Sequence, residues 1–255
     1  MDDDPYSKIS KIKKKLFGKL GKYTVYLVDD NLVRGCGESA WEFSDYGVNL
    51  NHHGLPTIDF SFIPQNEIWL ANSVAPSERH FILSTAVAYA GCIEAGLPPI
   101  KSYDKVMAME RQNRRRDLAK EFGLESAKQI KKLTRKEIAK KLYGKKYAKI
   151  KDGKNVLNVF LVNGEVTRGL YKTDFVEAGH GYVYKWIPKD EIWVDASLKA
   201  KAVPTVILHE FVERAMMRDK NFTYQEAHPI ASKIEAENRG HFGKKDVSKL
   251  GSFGY

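Results

Sequence analysis

His209, Glu210, Glu213 and Arg214 stand together in Ile207-Leu208-His209-Glu210-Phe211-Val212-Glu213-Arg214, and His228 follows in Gln225-Glu226-Ala227-His228. Residues four apart share one face of a helix, so His209 and Glu213 point the same way, with Glu210 about 100° round the barrel. An imidazole nitrogen and a carboxylate oxygen from one turn, completed by a donor from elsewhere, suit a tetrahedral zinc site that leaves one position for water. His228, on the next predicted helix, is the natural third donor. Glu235 lies two helical turns further along the same face, where a carboxylate could orient an imidazole. The same residues also have a plain reading: Glu210 and Arg214 are spaced as a favourable exposed helix ion pair, with His209 an ordinary hydrogen-bonded histidine.

The elements that must position these side chains are written twice. Ile63-Pro64-Gln65-Asn66-Glu67-Ile68-Trp69 returns as Ile187-Pro188-Lys189-Asp190-Glu191-Ile192-Trp193, and Ile82-Leu83-Ser84-Thr85-Ala86-Val87-Ala88-Tyr89 returns as Ile207 to Arg214. Lys15-Leu16-Phe17-Gly18-Lys19 is aligned with Lys141-Leu142-Tyr143-Gly144-Lys145, Val25 to Val28 with Val159 to Val162, and Glu110 to Arg114 with Glu235 to Arg239. The apolar frame persists, but Ser84, Thr85, Ala88, Tyr89 and Tyr103 stand where the second copy has His209, Glu210, Glu213, Arg214 and His228. Structural polar residues would have persisted in part, so this joint change points to chemistry confined to the second copy.

Each copy reads as a basic helix, a strand, a turn, a second strand, a third strand ending in Glu-Ile-Trp, and two closing helices. The turns are placed at Val28-Asp29-Asp30-Asn31 and Val162-Asn163-Gly164-Glu165, where Asn-Gly is the stronger hairpin signal. Pro204 precedes a helical apolar spacing through Val206, Ile207, Phe211, Val212, Ala215 and Met216, and another helix follows Thr223-Tyr224. The fold class expected is α+β, a tandem duplication of a small antiparallel sheet with helices packed on one side. The boundaries are an N-terminal degenerate repeat over 1–116, a basic helical linker over 117–136 with Gly123 and Thr134 as helix boundaries, a C-terminal repeat over 137–240, and a tail over 241–255.

Three further residues bear on the site. His180 sits in Gly179-His180-Gly181, whose glycines allow close backbone approach and leave the ring exposed. The first copy offers His53-Gly54 nearby. Asp195, at the end of the third strand and opposite Ala71, suits helix capping or support of a ligand. Arg214 is a further candidate for that supporting role. Trp69 and Trp193 occur in both copies and are expected in the core.

The chain has 255 residues, 43% hydrophobic, a globular composition long enough for two domains. Cys36 and Cys92 are its only cysteines, too few for a disulfide framework and consistent with a reducing interior. There is no signal-peptide pattern and no apolar run near the ~18 residues of a membrane span. The expected setting is therefore cytoplasmic, or virion-associated if the protein is phage-derived. The net charge of +10 is local, because residues 101–154 hold 19 Lys and Arg against 7 Asp and Glu. That segment, with the lysines from Lys8 to Lys22, makes nucleic acid or an acidic surface an expected partner through Lys/Arg-rich helices, reinforced by Arg114-Arg115-Arg116.

The strand Glu191-Ile192-Trp193-Val194 followed by Val206-Ile207-Leu208-His209-Glu210 resembles the minimal zincin metallopeptidase domain over roughly residues 181–239. In that family a helix carries His-Glu-x-x-His, with both histidines binding zinc and the glutamate acting as general base. The resemblance implies His209 as first ligand and Glu210 as base, while Glu213 stands where the second histidine would be. It also implies zinc as cofactor and a protein substrate, while the alignment of the copies makes the first repeat a degenerate one and leaves their packing open between an intramolecular pseudo-dimer and separated beads. Gly-His-Gly, Ile-Pro-x-x-Glu-Ile-Trp and His-Glu-x-x-Glu-Arg are also similar to uncharacterised phage and prokaryotic proteins. The competing expectation is a non-catalytic protein that binds nucleic acid or a phage-type particle through its lysines.

Overall fold

The computed structural model describes residues 9, 12–29, 32–33, 46–51, 53–56 and 58–252. Lys8, Lys11, Asp30, Asn31, Arg34, Gly35, Cys36 and tail residues 253–255 lie outside that set. The chain divides into two compact units, Met1–Arg114 and Arg115–Tyr255.

The first unit holds β1 (Lys15–Leu20), β2 (Tyr23–Val28), β3 (Tyr46–Val48), β4 (Glu67–Ala71), α1 (Arg79–Glu94) and α2 (Pro99–Glu121), the last running on past the unit boundary. The second holds a 3₁₀ turn (Ala127–Lys132), α3 (Arg135–Leu142), β5 (Tyr143–Asp152), β6 (Asn155–Val162), α4 (Gly164–Leu170), β7 (Ala178–His180), β8 (Glu191–Asp195), α5 (Val203–Asp219), α6 (Tyr224–Asn238) and α7 (Lys244–Val247). The sheets have the same order, β1-β2-β4-β3 and β5-β6-β8-β7, so this is an α+β fold with a duplicated sheet unit.

Each sheet is mixed rather than wholly antiparallel, because β2 pairs with β4, and β6 with β8, in parallel. A parallel neighbour requires a crossover, and the segment carrying α4 and β7 provides it in the second unit. Side chains alternate between faces along a strand. Leu157, Val159, Ile192 and Val194 accordingly pack with α5 and α6, while Val162 and Trp193 face Leu142, Val166, Phe175 and Ile187. In the second unit helices therefore cover both faces rather than one. Leu118, Ala119 and Ile130 of the connecting segment are buried in that second cluster. Gly123 at φ +67 and the Thr134 cap do bound its helices.

Two local readings change. Residues 15–20 form an edge strand, not a basic helix, and the basic run of the second copy splits between α3 and β5. The hairpin glycines are Gly21 (φ +57) and Gly153 (φ +61), between Leu20 and Tyr23 and between Asp152 and Asn155. Asn163 instead caps α4, accepting from the Val166 amide at 3.1 Å. The ladders also revise the alignment: Gly18 faces Val25 as Ala148 faces Val159, so β1 matches residues 146–150 rather than 141–145.

Both tryptophans are core, and the repeated Glu-x-Trp explains itself. Residues two apart share a strand face, so Trp69 Nε1 donates to Glu67 at 2.8 Å and Trp193 Nε1 to Glu191 at 2.6 Å. Each indole N–H is thus paired inside its own strand, a constraint of packing rather than chemistry.

Candidate metal centre

The site is built on α5, and from Val203 to Met216 every residue of that helix is buried. Its polar side chains cannot turn to water, so each needs a partner inside the second unit. Arg214 finds Asp152 at the end of β5 (2.6 Å) and the Lys189 carbonyl (2.8 and 3.1 Å). The exposed Glu210 to Arg214 ion pair is therefore not how these residues are used: Arg214 ties α5 to Asp152 and to the Lys189 carbonyl.

His209 and Glu213 do share a face, and α6 brings its second turn against them. The start of α6 is set by Thr223, whose hydroxyl and amide donate to Glu226 at 2.8 and 2.7 Å in a capping box. His228 Nδ1 then lies 2.7 Å from Glu213 Oε2 and 3.2 Å from His209 Nε2, and His209 Nε2 lies 3.7 Å from Glu213 Oε2. Tetrahedral zinc with bonds of about 2.0–2.1 Å separates its ligand atoms by roughly 3.3 Å, so the three donors fit one ion. Two imidazole nitrogens facing each other at hydrogen-bond distance also suit a shared cation. Glu235 Oε2 sits 3.1 Å from His209 Nδ1, within ion-pair range although not aligned for a hydrogen bond.

A second group adjoins the first. His180, at the end of β7, places Nε2 at 3.0 Å from Glu213 Oε1 and 4.0 Å from Glu210 Oε2. The sequence suggested an exposed turn histidine, yet the ring is fully buried. Its flanking glycines are there for close packing: a Cβ on Gly179 would meet the Tyr184 ring at 2.5 Å, and one on Gly181 the Ile187 carbonyl at 2.5 Å. Asp195 is placed elsewhere. It pairs with Arg168 at 2.8 Å and accepts the Ser197 amide at 2.9 Å, closing a turn rather than capping a helix or supporting a ligand.

The electrostatics follow from burial. Burial alone would raise the Glu213 carboxyl, but the rings of His180, His209 and His228 outweigh it and hold the carboxyl below the usual range. For His209 burial opposes the charge, yet Glu213 and Glu235 win and push the imidazole up to about 10. Burial and then the Glu213 charge raise Glu210 to about 8 although the His209 imidazolium pulls the other way, so at neutral pH it carries a proton. Burial lowers His180 below its ordinary value in spite of Glu213, which keeps that ring neutral.

The first unit shows the same frame without the donors. By strand register Val48, not His53, is the counterpart of His180, since Val48 faces Ile68 as His180 faces Ile192. Glu110, the counterpart of Glu235, is kept but differently used: it accepts from Thr85 at 2.7 Å and from Arg114 at 2.7 Å. Arg114 also pairs with Glu78 at 2.6 Å. Among the described residues, both groups of side chains able to hold a metal, His209-Glu213-His228 and His180-Glu210-Glu213, lie in the second unit.

Comparison with protein-family models, curated proteins and solved structures found no match to this chain. Among the described residues no helix is long and apolar enough to cross a membrane.

Proposed function

We propose that the second unit is a zincin-like, metal-dependent hydrolase domain and that the first is its degenerate scaffold. The observation that carries this reading is the convergence of His209 Nε2, Glu213 Oε2 and His228 Nδ1 within 4.8 Å of one another, in one unit of a duplicated fold. A zinc ion held by these three atoms would supply Lewis-acid activation of a water molecule at the fourth position. Glu210 would serve as the general base beside such a site. Its carboxyl, raised to about 8 by burial and Glu213, is one that an added metal cation would shift toward the anion. Glu235 steadies the His209 ring from its other nitrogen. The substrate class that the zincin resemblance points to is polypeptide.

Metal analysis of the purified chain tests the reading. Roughly one equivalent of zinc is expected, falling sharply in His209→Ala, and less than about one tenth of an equivalent would refute it.

One observation favours a second role beside the first. Edge strand β5 carries Lys145, Lys146, Lys149 and Lys151, all exposed, so the basic segment presents a lysine row along a sheet edge. Such a row suits a polyanion, and nucleic-acid binding that weakens steeply with salt is the expected result. Binding indifferent to salt would count against it.

A further inference from the structure

We infer that the centre is built for one ion rather than two, with His180 as the residue that positions Glu213; this rests on the metal-centre reading above. On distances alone two ions would fit. Glu213 turns Oε2 toward His209 and His228 and Oε1 toward His180, with Glu210 in the second group, the arrangement of a carboxylate bridging a metal pair.

The backbone decides against the pair. The Tyr182 amide donates to His180 Nδ1 at 3.2 Å. A main-chain N–H can only donate, so Nδ1 must present its lone pair, and the neutral ring carries its proton on Nε2. That Nε2 faces Glu213 Oε1 at 3.0 Å and donates to it. A protonated nitrogen has no lone pair for a metal. Moving the proton to Nδ1 would set N–H against N–H, and turning the fully buried ring over would give up both of its hydrogen bonds as they stand.

His180 therefore occupies Oε1 and leaves Oε2 for the ion, making Glu213 a one-oxygen ligand. Glu210, 4.0 Å from Nε2, lies beyond hydrogen-bond reach of that ring and stays available for proton transfer. The first unit agrees: the position of the donor is Val48 and that of the acceptor is Ala88, so the two members are absent together.

The test uses the full chain titrated with cobalt(II), whose visible absorption reports coordination. The wild type is expected to take up one ion, and nitrogen-15 shifts of His180 in the loaded protein should show a proton on Nε2 and none on Nδ1. His180→Ala should bind cobalt about ten- to a hundredfold more weakly, with an altered visible spectrum as Glu213 is freed to use both oxygens. His180→Gln, which restores an N–H donor, should recover much of both. Two ions per chain, a metal-bound His180 Nε2, or a His180→Ala variant that binds as the wild type does would overturn the inference and leave the metal-centre reading standing. A wild type that takes up no metal overturns both. The stoichiometry and the shifts are read on the wild type, so they decide the matter even if the alanine variant fails to fold.

Discussion

Replacing Glu213 by glutamine keeps its shape and removes its charge, which makes it the sharpest single perturbation of the site. The carboxylate takes ring nitrogens at 3.0 Å (His180) and 2.7 Å (His228), with His209 at 3.7 Å. An amide has one accepting oxygen and an NH₂ that must face one of these rings, so at least one buried N–H loses its acceptor. The His209 imidazolium also loses one of its two counter-charges, keeping only Glu235 at 3.1 Å. Breaking one member of a buried charged pair costs about 3–5 kcal/mol. At roughly 2–4 °C per kcal/mol for a chain of this size, the melting midpoint should fall on the order of 10 °C. Relief of repulsion between Glu210 and Glu213 acts the other way, but Glu210 already carries its proton at neutral pH, so this gain is the smaller effect. Zinc at about a hundred times its Kd should stabilise the wild type by ~2.7 kcal/mol and the variant by almost nothing. Scanning calorimetry of both proteins with and without zinc reads all four states. A variant that melts with the wild type and gains equally from zinc would refute the reasoning.

Two other substitutions probe how the site is held. Gly164→Ala should destabilise by at least about 3 kcal/mol in denaturant titration, because its Cβ would fall 1.8 Å from Asp195 Oδ2 and 2.6 Å from Arg168 Nη2, breaking a buried ion pair; a stabilised variant, as helix propensity alone predicts, would show that the pair yields freely. Asp152→Asn should cost about 2–3 kcal/mol at neutral pH, since Asp152 receives both Arg214 and Arg218. Burial pushes the Asp152 carboxyl up, but the two guanidiniums hold it below its ordinary value. A depressed folded pKa gives stability that is present above the unfolded value of about 3.9 and lost as pH falls through the folded one. The gap between wild type and variant should therefore close in acid, and a gap unchanged at pH 2 would contradict the assignment.

Much of this was legible in the sequence. The period of the repeat marked the duplicated unit, and the joint difference between Ser84, Ala88 and Tyr103 and their counterparts His209, Glu213 and His228 marked which copy carries the candidate donors. Helical spacing placed His209 with Glu213, and the Thr223 cap placed the next helix. Other parts were not legible, each for a physical reason. Lysines at 15 and 19 suit an exposed helix or an edge strand equally well, and only the Gly21 turn and the pairing with β2 decide between them. Asn163-Gly164 has the chemistry of a hairpin, but its glycine is required by the approach of Asp195, thirty-one positions along the chain. Arg214 sits four residues after Glu210, yet its partner is Asp152, which no local spacing reveals.

By itself the sequence determined the local and periodic facts: two copies, helix and strand periods, caps, and the types of donor available in one copy. Tertiary structure decided which atoms meet. His180 could be an exposed loop residue by its glycines alone, until strand pairing aligns it with Val48 and buries its ring against Glu213. The physical reason is that a ligand set is a condition on distances of a few ångströms between atoms on separate elements. Those distances are set by how β7, α5 and α6 pack on a shared core, not by the spacing of residues within any one of them.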